Sequence, residues 1–193
     1  MRSRIRHEPF LLVILETNSC VGLTPFYTGL RMVGPALTVQ TRAGDNLAIH
    51  QALEIAQPGD IIVVDGGGDT SRALVGEIMK AIAESRGVAG FVIDGAIRDV
   101  DAFRQSDFPC FARGSIHRGP YKDGPGKFGT PVSIGSTLIT PGDIAVGDAD
   151  GVVAFSPLIA TELLSAATER LAQEAVIMEL ISNGNYDGRY AKA

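Results

Sequence analysis

Gly90-Phe-Val-Ile-Asp-Gly-Ala-Ile-Arg-Asp99 opens on an apolar run and closes on a polar, glycine-containing segment. Phe91, Val92 and Ile93 are consecutive, so neither face of the run is left for water. That pattern predicts a strand buried on both sides. The polar residues behind it stand where α/β proteins carry ligands, in the loop after a buried strand. A short helix is expected next, around 100–104. The same grammar occurs upstream, where Ile61-Ile-Val-Val64 runs into Asp65-Gly-Gly-Gly-Asp69. Between the two strands, 77–86 predicts a helix with Ile78, Ala81 and Ile82 inward and Gly87 as its stop. Strand, loop, helix and strand in succession mark an α/β chain.

Working outward, 33–39 predicts a further strand. Gly44-Asp45-Asn46 forms a turn suited to capping a helix over 47–57, and Pro58-Gly-Asp60 stops that helix. Downstream, 108–112 predicts a short strand. Residues 113–131 hold eight Gly or Pro in a basic setting and are expected as a long ordered loop. A hairpin is expected over 132–134 and 137–139, then strands over 144–147 and 151–155 joined by an acidic turn. From Pro157 a helix is expected to reach Ser182, with Ile159, Leu163, Leu164, Ala167, Leu171, Ala175 and Met178 near helical spacing. Pro58-Gly-Asp-Ile-Ile-Val-Val-Asp65 and Pro141-Gly-Asp-Ile-Ala-Val-Gly-Asp148 echo one another, which is shared turn-then-strand grammar. The whole reads as one domain with a mixed sheet over 32–182. An irregular or truncated segment, 1–31, precedes it and a polar tail, 183–193, follows. Residues 10–15 fit either a strand or a helix fragment, because so short an apolar run has no decisive period.

Composition narrows the function classes. The 193 residues include 17 Lys plus Arg against 22 Asp plus Glu, a net charge of −5. That balance argues against a general nucleic-acid binder, which needs a basic face. The apolar run Pro9-Phe-Leu-Leu-Val-Ile-Leu15 is too short to span a bilayer, and no Ala-x-Ala site follows it. Two distant cysteines, Cys20 and Cys110, with no secretory signal point to a reducing, cytoplasmic setting. Gly66-Gly-Gly68 is neither a P-loop nor a dinucleotide fingerprint. His7, His50 and His117 have no paired spacing, which argues against a zinc site. A hard cation remains open, since Mg²⁺ needs only one or two carboxylates and keeps its waters.

The sharpest constellation is Gly76-Glu-Ile-Met79 with Gly95-Ala-Ile-Arg-Asp99. The first offers Glu77 and unpaired N–H groups at a helix start, where an anion is favoured. The second offers Arg98, a bidentate partner for a carboxylate, beside Asp99, a ligand for a cation. Together they suit a small 2-oxo acid. The competing reading of Arg98 and Asp99 is a surface ion pair capping a helix, and Glu77 alone reads as a favourable charge in a first turn. His50 reads as structural. His117, in the basic loop, is placed to touch an anionic substrate or to be solvated, and solvation is expected; the same holds for Arg113, Arg118, Lys122 and Lys127. Cys110 reads as inert core.

Several segments in order resemble one family. They are Gly59-Asp-Ile-Ile-Val-Val-Asp-Gly-Gly-Gly-Asp69, Gly76-Glu77, Gly90-Phe-Val-Ile-Asp-Gly-Ala-Ile-Arg-Asp-Val-Asp101, Phe108-Pro-Cys-Phe-Ala-Arg-Gly114, Pro141-Gly-Asp-Ile144 and Asp148-Ala-Asp-Gly-Val-Val153. From about 32 to 182 the chain resembles the RraA-like family. That family includes the class II 4-hydroxy-4-methyl-2-oxoglutarate/4-carboxy-4-hydroxy-2-oxoadipate aldolases. The resemblance implies a swivelling α/β/β fold, assembled as homotrimers or hexamers with sites between subunits. It implies that Arg98 binds pyruvate, that Asp99 ligates a divalent metal, Mg²⁺ or Mn²⁺, and that Glu77 orders metal-bound or catalytic water. It also implies that the amides of Ile78 and Met79 bind pyruvate oxygens. Glu174, with Glu169 as competitor, matches an acid donated through water by a neighbouring subunit. The family's usual opening helix with a Thr/Ser-x-x-Asp-Ala pattern has no match here, and the acid after Arg-Asp stands at Asp101, with Ala102 next.

The activity so implied is metal-dependent retro-aldol cleavage of a 4-hydroxy-2-oxo dicarboxylic acid to pyruvate, with oxaloacetate decarboxylation as a second activity. The alternative is a non-catalytic protein that binds and regulates a ribonuclease, as some family members do. A methyltransferase label also exists in the family, but no cofactor motif supports it in this sequence.

Overall fold

The structure, a computed structural model, describes residues 18–27, 29 and 31–188. The apolar run over 10–15 lies outside the described residues. Those up to Pro157 form one compact unit and those from Leu158 onward belong to a second.

In the first unit the strands are β1 (Thr24–Pro25), β2 (Met32–Thr41), β3 (Ile61–Asp65), β4 (Ala73–Val75), β5 (Gly90–Ile97), β6 (Cys110–Ser115), β7 (Gly126–Phe128), β8 (Val132–Ile134), β9 (Thr137–Ile139), β10 (Ile144–Asp148) and β11 (Gly151–Phe155). Its helices are α1 (Leu47–Ile55), α2 (Glu77–Ser85) and α3 (Val100–Arg104). The main path of a nine-stranded sheet runs β1-β6-β5-β3-β2-β10-β11, with β4 also on β5 and β7 also on β2. Strands β2, β3, β5 and β6 are parallel neighbours, and β10 joins β2 antiparallel. β8 and β9 form a separate hairpin.

Alternation along β3 shows how the layers arise. Ile62 and Val64 face one apolar cluster with Ile49, Ala52 and Leu53 of α1 and Met79 and Ala83 of α2. Ile61 and Val63 face the other, with Val132, Ile134 and Ile139 of the hairpin and Ala145 and Val152 of the last strands. These four of the five β3 side chains are fully buried. Each contributes roughly 1.5–3 kcal/mol on leaving water. The sheet is therefore sandwiched between helices and a second β layer, the α/β/β arrangement.

Three expectations need correction. The buried residues of α2 are Met79, Lys80 and Ala83, and Ile82 packs against the same core as expected, whereas Ile78 is 71% exposed and Ala81 is exposed. Lys80 is tolerated inside because its stem is covered while its ammonium reaches Glu84 Oε1 at 2.7 Å. The stretch 113–131 is not all loop. β6 continues to Ser115, and β7 pairs with β2 through Gly126↔Thr41. Arg113 is not solvated either, since its guanidinium pairs with the buried carboxylate of Asp94.

A 3-10 turn at Pro157–Ile159 leads into α4 (Ala160–Ser182) of the second unit. Leu163 is buried, but Leu164, Leu171 and Met178 are 65–69% exposed. They recur every seventh residue, which sets one apolar seam along the helix.

Candidate functional site

Two strand ends build the site. β4 lies parallel to β5, with Ala73 opposite Ala96 and Val75 opposite Ile97. β4 then passes through Gly76 into α2, while β5 passes through Arg98 and Asp99 into α3. The Arg98 amide donates to the Val75 carbonyl at 3.0 Å, so the two exits are stitched side by side. Residues more than twenty positions apart thereby meet at the carboxyl ends of neighbouring strands, where open α/β sheets hold ligands.

Asp99 adopts left-handed backbone, φ 55 and ψ 43, and among the described residues no other non-glycine has a positive φ. Asp tolerates that region better than most residues, yet the conformation is held against its preference. Asp99 precedes α3 without capping it by its side chain. Its Oδ2 instead accepts the amide of Glu77, the first residue of α2, at 3.0 Å, and lies 3.5 Å from Arg98 Nε. The ion pair is real, but its carboxylate serves the neighbouring helix. Arg98 and Asp99 are each about two-fifths exposed. Gly76 makes this approach possible. A Cβ there would stand 2.5 Å from Asp99 Oδ2 and 2.9 Å from Arg98 Cγ.

Beside this cluster lies a recess of about 90 Å³, lined by Gly76, Ile78, Met79, Arg98, His50 and Lys122, with Asn46 among its other walls. The amides of Ile78 and Met79 stand in the first turn of α2, where no intrahelical acceptor exists. They and the Arg98 guanidinium offer an anion converging donors. On the other side of Arg98 a more open recess of about 510 Å³ is lined by Asp99, Val100, Ser115, Ile116 and His117.

The structure thus brings together Arg98, Asp99, the amide of Glu77, and Ile78 and Met79. The Glu77 side chain itself is exposed. Glu174 lies on α4, in the second unit, where its carboxylate accepts from Arg170 Nε at 3.1 Å; Glu169 is exposed on the same helix. His50, read from sequence as structural, and Lys122, read as solvated, both line the smaller recess. Burial, with Lys122 adding to it, lowers the His50 pKa, so its imidazole is neutral at pH 7; Glu54 opposes the shift. Asn46 was legible as part of a turn suited to capping a helix, and it stands at the N-cap of α1 without a side-chain capping bond. Its side chain donates to the Leu74 carbonyl at 2.9 Å and approaches Met79 Sδ at 3.2 Å, tying the start of α1 to β4 and α2.

Among the described residues no group of three or more His, Cys, Asp or Glu converges. A hard cation does not require one, because Mg²⁺ binds through one or two carboxylates and retains water. Asp99 fits that chemistry. It is partly exposed, and its Oδ1 accepts no hydrogen bond from the described residues.

The RraA-like family, described as Aldolase/RraA, matches residues 14–154. The chain belongs to the RraA-like family. Among its relatives is a protein of Halalkalibacterium halodurans named "Putative 4-hydroxy-4-methyl-2-oxoglutarate aldolase", 41% identical over 167 residues, covering 86% of this chain and 80% of the relative. A Burkholderia mallei protein of the same name is 39% identical over 67% of this chain and 78% of its own. Among solved structures, an uncharacterized protein from Pseudomonas syringae pv. tomato superposes with TM-score 0.81 at 30% identity, covering 92% of this chain and 84% of that one. The RNA-processing inhibitor RraA from Thermus thermophilis superposes with TM-score 0.69 at 26% identity, covering 81% and 94%. The α/β/β layering is that of the RraA-like fold. The names of these RraA-like relatives support an aldolase, or lyase, reading. Among the described residues no helix is long and apolar enough to cross a membrane.

Proposed function

We propose that this chain is a divalent-metal-dependent lyase that cleaves a 4-hydroxy-2-oxo dicarboxylic acid, of the 4-hydroxy-4-methyl-2-oxoglutarate type, to pyruvate. The observation that carries the reading is that Arg98 lines one recess with Ile78 and Met79, whose amides stand in the first turn of α2, with Asp99 held on the first amide of the same helix. In this reading Arg98 grips the C1 carboxylate and the Ile78 and Met79 amides bind pyruvyl oxygens. Asp99 would ligate Mg²⁺ or Mn²⁺ directly, and Glu77 and a neighbouring subunit's equivalent of Glu174 would do so through water. A bound cation supplies Lewis-acid polarisation of the keto group.

The chain's own groups account for the rest of the reaction. A water held by the Glu77 carboxylate takes the proton from the C4 hydroxyl. The C3–C4 bond then breaks, and its electron pair enters the pyruvyl half as an enolate. Arg98 stabilises the charge that develops there. The proton returns through water to C3, which gives pyruvate and leaves a carbonyl on the departing half. Oxaloacetate loses CO₂ through the same enolate, hence the second activity. A cytoplasmic location belongs to the same proposal, supported by two buried free thiols, Cys20 and Cys110. So does assembly into trimers or hexamers, supported by the exposed apolar seam of α4.

The test is a coupled pyruvate-release assay over several 4-hydroxy-2-oxo acids and oxaloacetate, with and without Mg²⁺ or Mn²⁺. Turnover should require the metal and fall about 10²–10³-fold in Arg98→Ala. Undiminished turnover in EDTA would contradict the mechanism. The likeness to an RNA-processing inhibitor supports a second reading, a protein that binds a ribonuclease without catalysis. Recovery of a ribonuclease in a pull-down, with no lyase activity on any 2-oxo acid, would favour it.

A further inference from the structure

Leu74, the middle residue of β4, is fully buried in the cluster that holds Ile49, Leu53 and Met79. Its Cδ1 fills a socket made by two glycines, Gly66 just after β3 and Gly95 within β5. A Cβ on Gly66 would stand 2.7 Å from that methyl, and one on Gly95 would stand 2.8 Å from it and 3.5 Å from Leu74 Cγ. Neither glycine has a positive φ, so an alanine at either is limited by space alone.

The socket reaches the site through the backbone. The β4–β5 ladder is short and shifts register between its pairs Ala73↔Ala96 and Val75↔Ile97, and Leu74 stands at the shift. Side-chain packing must therefore set the separation of the two strands at that point. The next residue, Val75, accepts the Arg98 amide at 3.0 Å, and Glu77 donates its amide to Asp99 Oδ2 at 3.0 Å. The Leu74 carbonyl accepts from Asn46 Nδ2 at 2.9 Å, so Leu74 is gripped at both its carbonyl and its methyl.

We infer that Leu74 is a positioning residue for the lyase site: its methyl, seated between Gly66 and Gly95, fixes the offset between the first turn of α2 and the Arg98–Asp99 pair. Its kinetic consequence rests on the lyase reading above. The bond it holds, from the Glu77 amide to Asp99, is readable without any substrate.

Size exchange in the whole protein is the test. Gly95→Ala drives a methyl into Leu74 Cδ1 and should lower kcat/KM for pyruvate release about 10²-fold. A smaller folded fraction would lower kcat and leave KM unchanged, whereas displaced amides raise KM as well. Leu74→Val removes the δ methyls, so Gly95→Ala/Leu74→Val should return to within about fivefold of the parent. At Gly95 the other neighbour, the Asp69 carbonyl oxygen at 3.2 Å, lies in the loop after β3 and needs only a slight shift. Gly66→Ala should gain nothing from Leu74→Val, because its Cβ also meets the Asp94 carbonyl oxygen at 2.8 Å, a backbone atom of β5. In amide NMR spectra the Glu77 proton should lose its carboxylate-induced downfield shift in Gly95→Ala and regain it in the double variant, with Asp99→Ala marking the unbonded position. Parent-like kinetics and shift in Gly95→Ala overturn the positioning role and leave the lyase reading standing. So does a double variant no better than Gly95→Ala in folding or activity. A parent that releases no pyruvate, with a Glu77 signal that moves and returns as described, removes the lyase reading and keeps the socket.

Discussion

At the scale of single residues, the site depends on side chains that are absent as much as on those present. Gly76 has an extended φ of −156, which alanine adopts freely, so a substitution there acts only through space. The added methyl would meet Asp99 Oδ2 at 2.5 Å and Arg98 Nε at 3.1 Å. Gly76→Ala is expected to lower kcat/KM for pyruvate release about 10²-fold, because small displacements of reacting groups cost that much. Its thermal midpoint should stay within a few degrees of the parent, and a differential scan beside the assay checks both. Gly119 is a milder case, since a Cβ there would lie 3.1 Å from Arg98 Nη1. Asp94 and Arg113 show what sequence could not disclose at this scale. A carboxylate within one strand and an arginine nineteen residues later carry no local sign of pairing. Only the parallel register, Ile93 opposite Ala112, sets them side by side.

At the scale of elements, the turn before α1 anchors the loop that follows β6. Asp45 is fully buried. Its Oδ1 accepts from the Leu47 amide at 3.0 Å, and its Oδ2 accepts from Asp123 at 2.8 Å, Gly124 at 2.9 Å and Arg42 Nη2 at 3.0 Å. Burial alone would raise its pKa, but the three amides and Arg42 together outweigh it and hold the carboxyl below its ordinary 3.8. A folded pKa below the unfolded one stabilises the fold at pH values above the unfolded value. That contribution fades as pH falls through the lowered value. Asp45→Asn is therefore expected to destabilise by roughly 2–3 kcal/mol at pH 7, since an amide NH₂ would face donors. Urea unfolding should show the gap between parent and variant narrowing below about pH 4. The long strands and helices were legible because their patterns span many residues. β4 and β7 were not, because three residues hold no period and their partners lie far along the chain. The inward face of α2 was misread for a related reason. Ile78 is apolar by composition, but it sits in the first turn, beside the recess, where the helix leaves the sheet.

At the scale of the whole molecule, the two thiols report on the integrity of the sheet. Burial, with Asp94 adding to it, pushes the Cys20 thiol up to about 12, and burial raises Cys110 as well. Neither is expected to react with a thiol reagent in the native protein at pH 8, and both should react after unfolding in guanidinium; rapid native labelling of Cys110 would contradict the buried β6. The apolar seam of α4 makes a separate statement. Leu171→Glu places a charge in its middle and is expected to shift sedimentation toward smaller species. An unchanged coefficient would remove the seam from the account of assembly. The adjacency of Arg98 and Asp99 was readable because both follow one strand, whereas the recess walls were not, since they come from a loop whose path only the fold determines. That path has a consequence of its own. The chain from Ile116 to Gly124 is moored at Ile97, at Arg72 through the Gly119 carbonyl, and at Asp45, while Arg98 is held from behind by the Val75 carbonyl. The loop is therefore tied to three elements at once, β5 at Ile97, the β3–β4 connection at Arg72 and the turn before α1 at Asp45. Cutting one tie, as in Asp45→Asn, would leave two to hold Gly119 and Pro120 beside Arg98, so redundancy guards that stretch of backbone.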